Sequence, residues 1–153
     1  MAIPPFERFY EAHAGEVLGY LTRLLGRQFA EDAWQETFLR ALRAYPTLRH
    51  GEHLRAWAFT IATRVALDER RRRRPVAGEV PEVPVVDGRP AYAELAVHTG
   101  ALPRKERAAV VLRYGYDLDY EQIGAALGSS AEAARQAASS GVRRLRRTHA
   151  DLA

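Results

Sequence analysis

The sequence predicts an all-α fold. It divides into two small helical domains, residues 1–74 and 91–153, joined by a flexible proline-rich linker over 75–90, with a helix–turn–helix in the second. Three observations carry this. Apolar residues recur at helical spacing, and no alternating run is long enough for a sheet. The stretch from Pro75 to Pro90 holds four prolines, two glycines and only short valine pairs. Near the C-terminus, two cap-like segments flank Gly128.

The elements follow in order. Phe6, Phe9, Tyr10, Val17, Leu21, Leu24 and Leu25 form a helical stripe, started by Pro4-Pro5 and ended by Gly26. A second helix is expected from Ala30 to Ala44, stopping before Pro46. Pro46 to Glu52 reads as a loop. A third helix runs from about His53 into the run Arg70 to Arg74, on a stripe of Leu54, Trp57, Ala58, Ile61 and Val65. Beyond the linker, Ala91 to Thr99 and Arg104 to Tyr114 are helical in pattern. Asp119 with Gln122 has capping-box spacing; Ser129 with Glu132 repeats it, and Ser130 is the alternative cap. Gly128 suits the positive φ of a tight turn. Ile123, Leu127, Val142 and Leu145 are expected to face inward.

Composition bounds the function. The chain has 153 residues, 47% of them hydrophobic, so it can build a core. Its net charge of +4 favours a polyanion partner weakly. With no cysteine there is no disulfide or thiolate metal site, and a cytoplasmic setting fits. No apolar run approaches a membrane span and no signal peptide is evident, so membrane insertion is not expected. His13, His50, His53, His98 and His149 are scattered without metal-ligand spacing. No glycine-rich phosphate loop or nucleophile elbow is present. No catalytic residue, metal or cofactor is therefore expected, and the chain is not read as an enzyme.

The second helix has two faces. Trp34, Phe38, Ala41, Leu42 and Tyr45 form the expected core stripe. Asp32, Gln35, Glu36, Leu39 and Arg43 fall opposite. An apolar anchor in a polar ring resembles a protein contact, although a solvated face with one stray leucine is the commoner case. The five arginines 70–74 point all round a helix, so they cannot all be buried. They are either a solvated helix end or phosphate contacts. Thr60, Thr63 and Arg64 lie upstream, off the apolar stripe, and extend the candidate DNA surface. Trp57 and Phe59 are candidates for base stacking, with Trp57 better explained as core.

In a helix–turn–helix the second helix enters the major groove by its N-terminal side chains. The candidates are Ala131, Glu132, Arg135, Gln136 and Ser139; arginine can read guanine and glutamine adenine. Arg143, Arg144, Arg146 and Arg147 come later and suit phosphate. The bland alternative is a plain helical hairpin.

Together these segments resemble a bacterial extracytoplasmic-function sigma factor. The segment from Ala30 to Leu42 looks like that family's polymerase-binding helix. Leu54 to Arg74 is similar to its minus-ten segment. Leu102-Pro-Arg-Lys-Glu-Arg107, Tyr120-Glu-Gln-Ile-Gly124 and Leu127-Gly128 look like its minus-thirty-five domain. The resemblance implies that Asp32, Gln35, Glu36 and Leu39 contact the clamp helices of core RNA polymerase. It implies that the loop from Pro46 to His53 holds a flipped minus-ten base, and that promoter DNA and an anti-sigma regulator are partners. The family usually has Arg-Asn where Thr63-Arg64 stands, and further basic residues where Ala137 and Ser140 stand. Ser129 and Ala134 replace larger apolar residues, so a loosely packed second domain is expected. The alternatives are a stand-alone helix–turn–helix regulator and a degenerate sigma-like interaction module.

Overall fold

The computed structural model describes residues 2–72 and 102–152, and these are helical with no strand among them. The expected linker, the helix from Ala91 to Thr99, and Arg73 and Arg74 lie outside the described residues. Helix α1 spans Phe6–Leu25, α2 Arg27–Ala44, α3 Leu54–Arg72, α4 Arg104–Val110, α5 Tyr120–Leu127 and α6 Ala131–Leu152.

Pro5 precedes α1 in extended geometry, and its carbonyl accepts from the Arg8 and Phe9 amides at 3.0 and 3.3 Å. Gly26, at φ 83°, ends the helix. A side chain would resist that conformation. The Gly26 carbonyl then accepts from the Ala30 amide at 3.1 Å, so α2 starts at Arg27 rather than Ala30. Arg27 and Gln28 are polar, so no apolar period marks that start. A 3-10 turn over Tyr45–Thr47 and a loop lead to His53, whose φ is 59° and whose carbonyl opens α3.

In the C-terminal half, α4 gives way to a π segment over Val111–Gly115, so the expected helix to Tyr114 is only partly α. Both halves of the Asp119 capping box form: the Gln122 amide donates to Oδ1 at 2.8 Å, and the Asp119 amide donates to Gln122 Oε1 at 3.1 Å. Gly128 takes the left-handed conformation, φ 71°. Ser130, not Ser129, caps α6, accepting from the Ala133 amide at 3.1 Å.

Helices α1 to α3 pack around Phe9, Val17, Tyr20, Leu21, Phe59 and Val65. Leu112, Leu118, Ile123, Ala134 and Ala138 fill the C-terminal half. Val142 and Leu145 are only half-buried. The two sets belong to one continuous cluster, because α3 packs on α5. Ala134 is one of the two small residues behind the expectation of loose packing. It is fully buried, and Gly124 lies so close to the turn that a Cβ would meet the carbonyl oxygens of Ser129 and Ser130 at 2.8 Å. Small residues here permit close helix approach. No helix among the described residues is long and apolar enough to cross a membrane.

Candidate functional site

The polar face of α2 is a surface. Asp32, Gln35 and Arg43 are exposed, and Leu39 is 46% exposed. Glu36 is half-buried and accepts from Arg40 Nε at 3.0 Å. Arg40 also reaches Asp68 on α3 at 3.6 Å. Leu42, expected in the core, is 50% exposed. The buried side of α2 is made of Ala30, Ala33, Thr37 and Ala41 beside Phe38. That small-residue flank lets α1 and α3 approach, and the helix is turned so that Leu42 emerges beside Leu39. Trp34 is half-buried, and its indole donates to the Ala14 carbonyl at 3.0 Å. The result is an exposed apolar pair in a ring of Asp, Gln and Arg.

Two expected contacts on α3 are corrected. Thr63 is fully buried; its hydroxyl is 2.6 Å from that of Tyr20 and donates to the Phe59 carbonyl at 2.7 Å. It is a core polar group, not a DNA contact in this arrangement. Its hydroxyl is satisfied inside, so burial costs little. Burial pushes the Tyr20 phenol well above its usual range, so that pair stays neutral. Phe59 is also fully buried and cannot stack on a base. Thr60 is half-buried and its hydroxyl donates to the Ala56 carbonyl at 2.9 Å. Arg64 is exposed, but it reaches across to the C-terminal half and donates to the Ala125 carbonyl at 3.2 Å. Arg70, Arg71 and Arg72 stand on the last turn of α3, and their side chains lie outside the described set.

The interface between the halves was not anticipated from sequence. Tyr116 inserts its ring 4.9 Å from Phe59 and 5.8 Å from Tyr20, and its hydroxyl accepts from Arg23. The Arg23 guanidinium also lies 5.2 Å from the ring centre. Arg107 is buried and donates to the carbonyls of Leu24 and Leu102 at 2.8 and 3.2 Å. A cleft of about 330 Å³ remains between the loop and α5, lined by residues including Arg49, His50, Trp57, Thr60 and Gln122. Arg107 closes the Leu102 to Arg107 motif, yet no period marks an arginine that will be buried.

On α6, Glu132, Arg135, Gln136 and Ser139 are exposed along the N-terminal part. Arg135 pairs with Glu132 through two bonds, one at 3.1 Å. This bond holds the Glu132 carboxyl below its usual pKa. With Ser130 as the cap, Ala133 takes the third position, so no second capping box closes and Glu132 pairs with Arg135. Arg143 donates to Ser140 at 3.1 Å, and Arg144 meets Glu106 at 2.9 Å. Arg146 and Arg147 are exposed. No group of three or more candidate metal ligands occurs among the described residues.

A three-helix bundle with an exposed polar helix is followed by a capped helix–turn–helix, the layout of a DNA-binding protein with a further contact surface. The comparisons agree. Residues 9–76 match sigma-70 region 2, and residues 100–147 match sigma-70 region 4. The chain is 31% identical over 157 residues to the RNA polymerase sigma factor CarQ of Myxococcus xanthus, covering 96% of this chain and 90% of that one. It is 37% identical over 141 residues to the ECF sigma factor SigE of Mycolicibacterium smegmatis, covering 83% of this chain and 54% of that one. Its fold is similar to the sigma factor RpoE solved with the anti-sigma factor NepR from Bartonella quintana: TM-score 0.79, 20% identity, 93% and 94% coverage. It is similar also to CnrH solved with the cytosolic domain of CnrY: TM-score 0.69, 22% identity, 95% and 88% coverage. The chain belongs to the extracytoplasmic-function sigma factor family. It is a sigma factor, the kind of subunit that directs RNA polymerase to promoters, and this displaces the stand-alone regulator reading.

Proposed function

We propose that this chain joins core RNA polymerase through the exposed face of α2 and engages two promoter elements through its two halves. Asp32, Gln35, Glu36 and Leu39 make the polymerase contact, and Leu42 joins them. The exposed Leu39–Leu42 pair carries this reading. Two large apolar side chains about half in water, rimmed by polar groups, suit the centre of a protein contact better than a solvated face.

The loop 46–53 holds an extruded minus-ten base, with Thr60, Arg64 and the arginines 70–74 along the neighbouring backbone. Extrusion costs a few kcal/mol, and a formed pocket offsets it. On α6, Arg135, Gln136 and Ser139 face the minus-thirty-five groove, with Glu132 orienting Arg135 and Arg143 and Arg144 on phosphate. The domains 1–74 and 91–153 act as separate binding units, and the linker 75–90 keeps the second at high local concentration. Arg64 and the loop now face α5, so promoter engagement requires the halves to part. The protein works in the cytoplasm, performs no bond chemistry and is held by an anti-sigma partner. Two similar folds were solved with a protein bound, one of them an anti-sigma factor.

The test is binding of purified protein to core polymerase, comparing wild type with Leu39→Asp/Leu42→Asp. A loss of at least about 2 kcal/mol, the size of a hot-spot effect, is expected. Equal affinity with intact folding overturns the assignment of this face.

A further inference from the structure

The loop 46–53 is held from outside by the residues that precede α1. Its members Arg49, His50, Glu52 and His53 are exposed, yet Gly51 between them is buried. What covers Gly51 is the N-terminal segment. A Cβ on Gly51 would stand 2.5 Å from the Ala2 carbonyl oxygen, 3.0 Å from its carbon and 3.3 Å from the Ile3 Cα. All three are backbone atoms, so no flexible side chain can swing aside. The second tie is Tyr45, whose hydroxyl donates to the Pro4 carbonyl. Its ring meets Phe6 edge-on at 5.3 Å and lies 5.5 Å from Phe9. Pro4-Pro5 makes the segment stiff; Pro5 is extended, with φ −57° and ψ 149°. Proline fixes φ, so the chain leaves α1 in one direction, toward the loop.

We infer that Ala2 to Pro5 form a strap that positions the loop for base recognition, with Gly51 and Tyr45 as its anchor points. The inference rests on the reading of loop 46–53 as the pocket for an extruded minus-ten base. The loop is then tied at two points: at Tyr45, just before it begins, and at Gly51 under the strap. Each fixed residue removes conformational entropy before DNA arrives, so base capture does not have to supply it. A released loop still offers the same side chains but holds the base less selectively.

The experiment uses the full chain with core polymerase. Binding is measured to single-stranded minus-ten probes carrying each of the four bases, or an abasic site, at each position in turn. Wild type is expected to prefer one base at the captured position. Gly51→Ala is expected to reduce that preference about tenfold, the scale of one mismatched position, with little change on the abasic probe. Tyr45→Phe keeps the ring and removes only the hydroxyl tie; it is expected to lose part of the preference at an unchanged melting temperature. This second variant carries the test if Gly51→Ala folds poorly. Equal weakening on every probe, or full preference in both variants, overturns the strap. Arg49→Ala/His50→Ala leaves the strap intact. If it also leaves the preference intact, the loop is not the base pocket, and the strap's role falls with that reading.

Discussion

Replacing Tyr116 with alanine should release the C-terminal half from α3. Tyr116 makes two ring contacts, with Phe59 and Tyr20, accepts a hydrogen bond from Arg23, and lies against the same guanidinium. Aromatic pairs contribute about 0.5–1.5 kcal/mol each beyond their buried area. A hydrogen bond to a charged donor contributes about 1.5–3 kcal/mol. These share partners and do not add, so about 3 kcal/mol is a reasonable loss. That shifts the ratio of closed to parted halves by about two orders of magnitude. The chain has no cysteine, so Glu11→Cys and Glu121→Cys on exposed positions give two clean labelling sites. Energy transfer between dyes there should fall and broaden in Tyr116→Ala. Tyr116→Phe, which loses only the hydroxyl contact, should fall between that variant and wild type. An unchanged distance distribution in Tyr116→Ala would refute the idea that this ring fastens the halves.

Thr63→Val should cost about 1–3 kcal/mol in denaturant unfolding, because the buried Tyr20 hydroxyl loses its partner; a selective loss of DNA affinity at unchanged stability would instead restore Thr63 to the DNA surface. His13 has a buried Nδ1 with no hydrogen-bond partner among the described residues, and burial lowers its pKa. The unfolded chain then binds the proton more tightly, so this stability is present above about pH 6.5 and is lost as pH falls through the folded value. Melting scans between pH 5 and 8 should show a shallower acid decline in His13→Gln; identical slopes would remove His13 from the account. Asp119→Ala should cost about 1 kcal/mol by removing the cap of α5, seen as faster amide exchange there before global unfolding.

Much of the fold was legible because it is written locally. Helical period, proline placement and cap chemistry act over three or four residues, so α1, the Asp119 box and Gly128 could be read directly. The polar face of α2 was legible for the same reason. Leu42 was not, because a periodic stripe says which residues share a face but not how far the helix is turned against its neighbours. Here the alanine flank decided that, since only close approach of α1 and α3 makes small residues the better core side.

By itself, the sequence determined an all-α chain, its two motif-bearing halves and the family they resemble. Tertiary structure decided which polar residues point inward. Thr63 stands next to exposed Arg64 on α3, and only the packing of Tyr20 from α1 against it makes it core. Arg107 is buried because the carbonyl of Leu24, far away in sequence, meets its guanidinium. Such partners are fixed by the closed chain rather than by local spacing, and no periodicity encodes them.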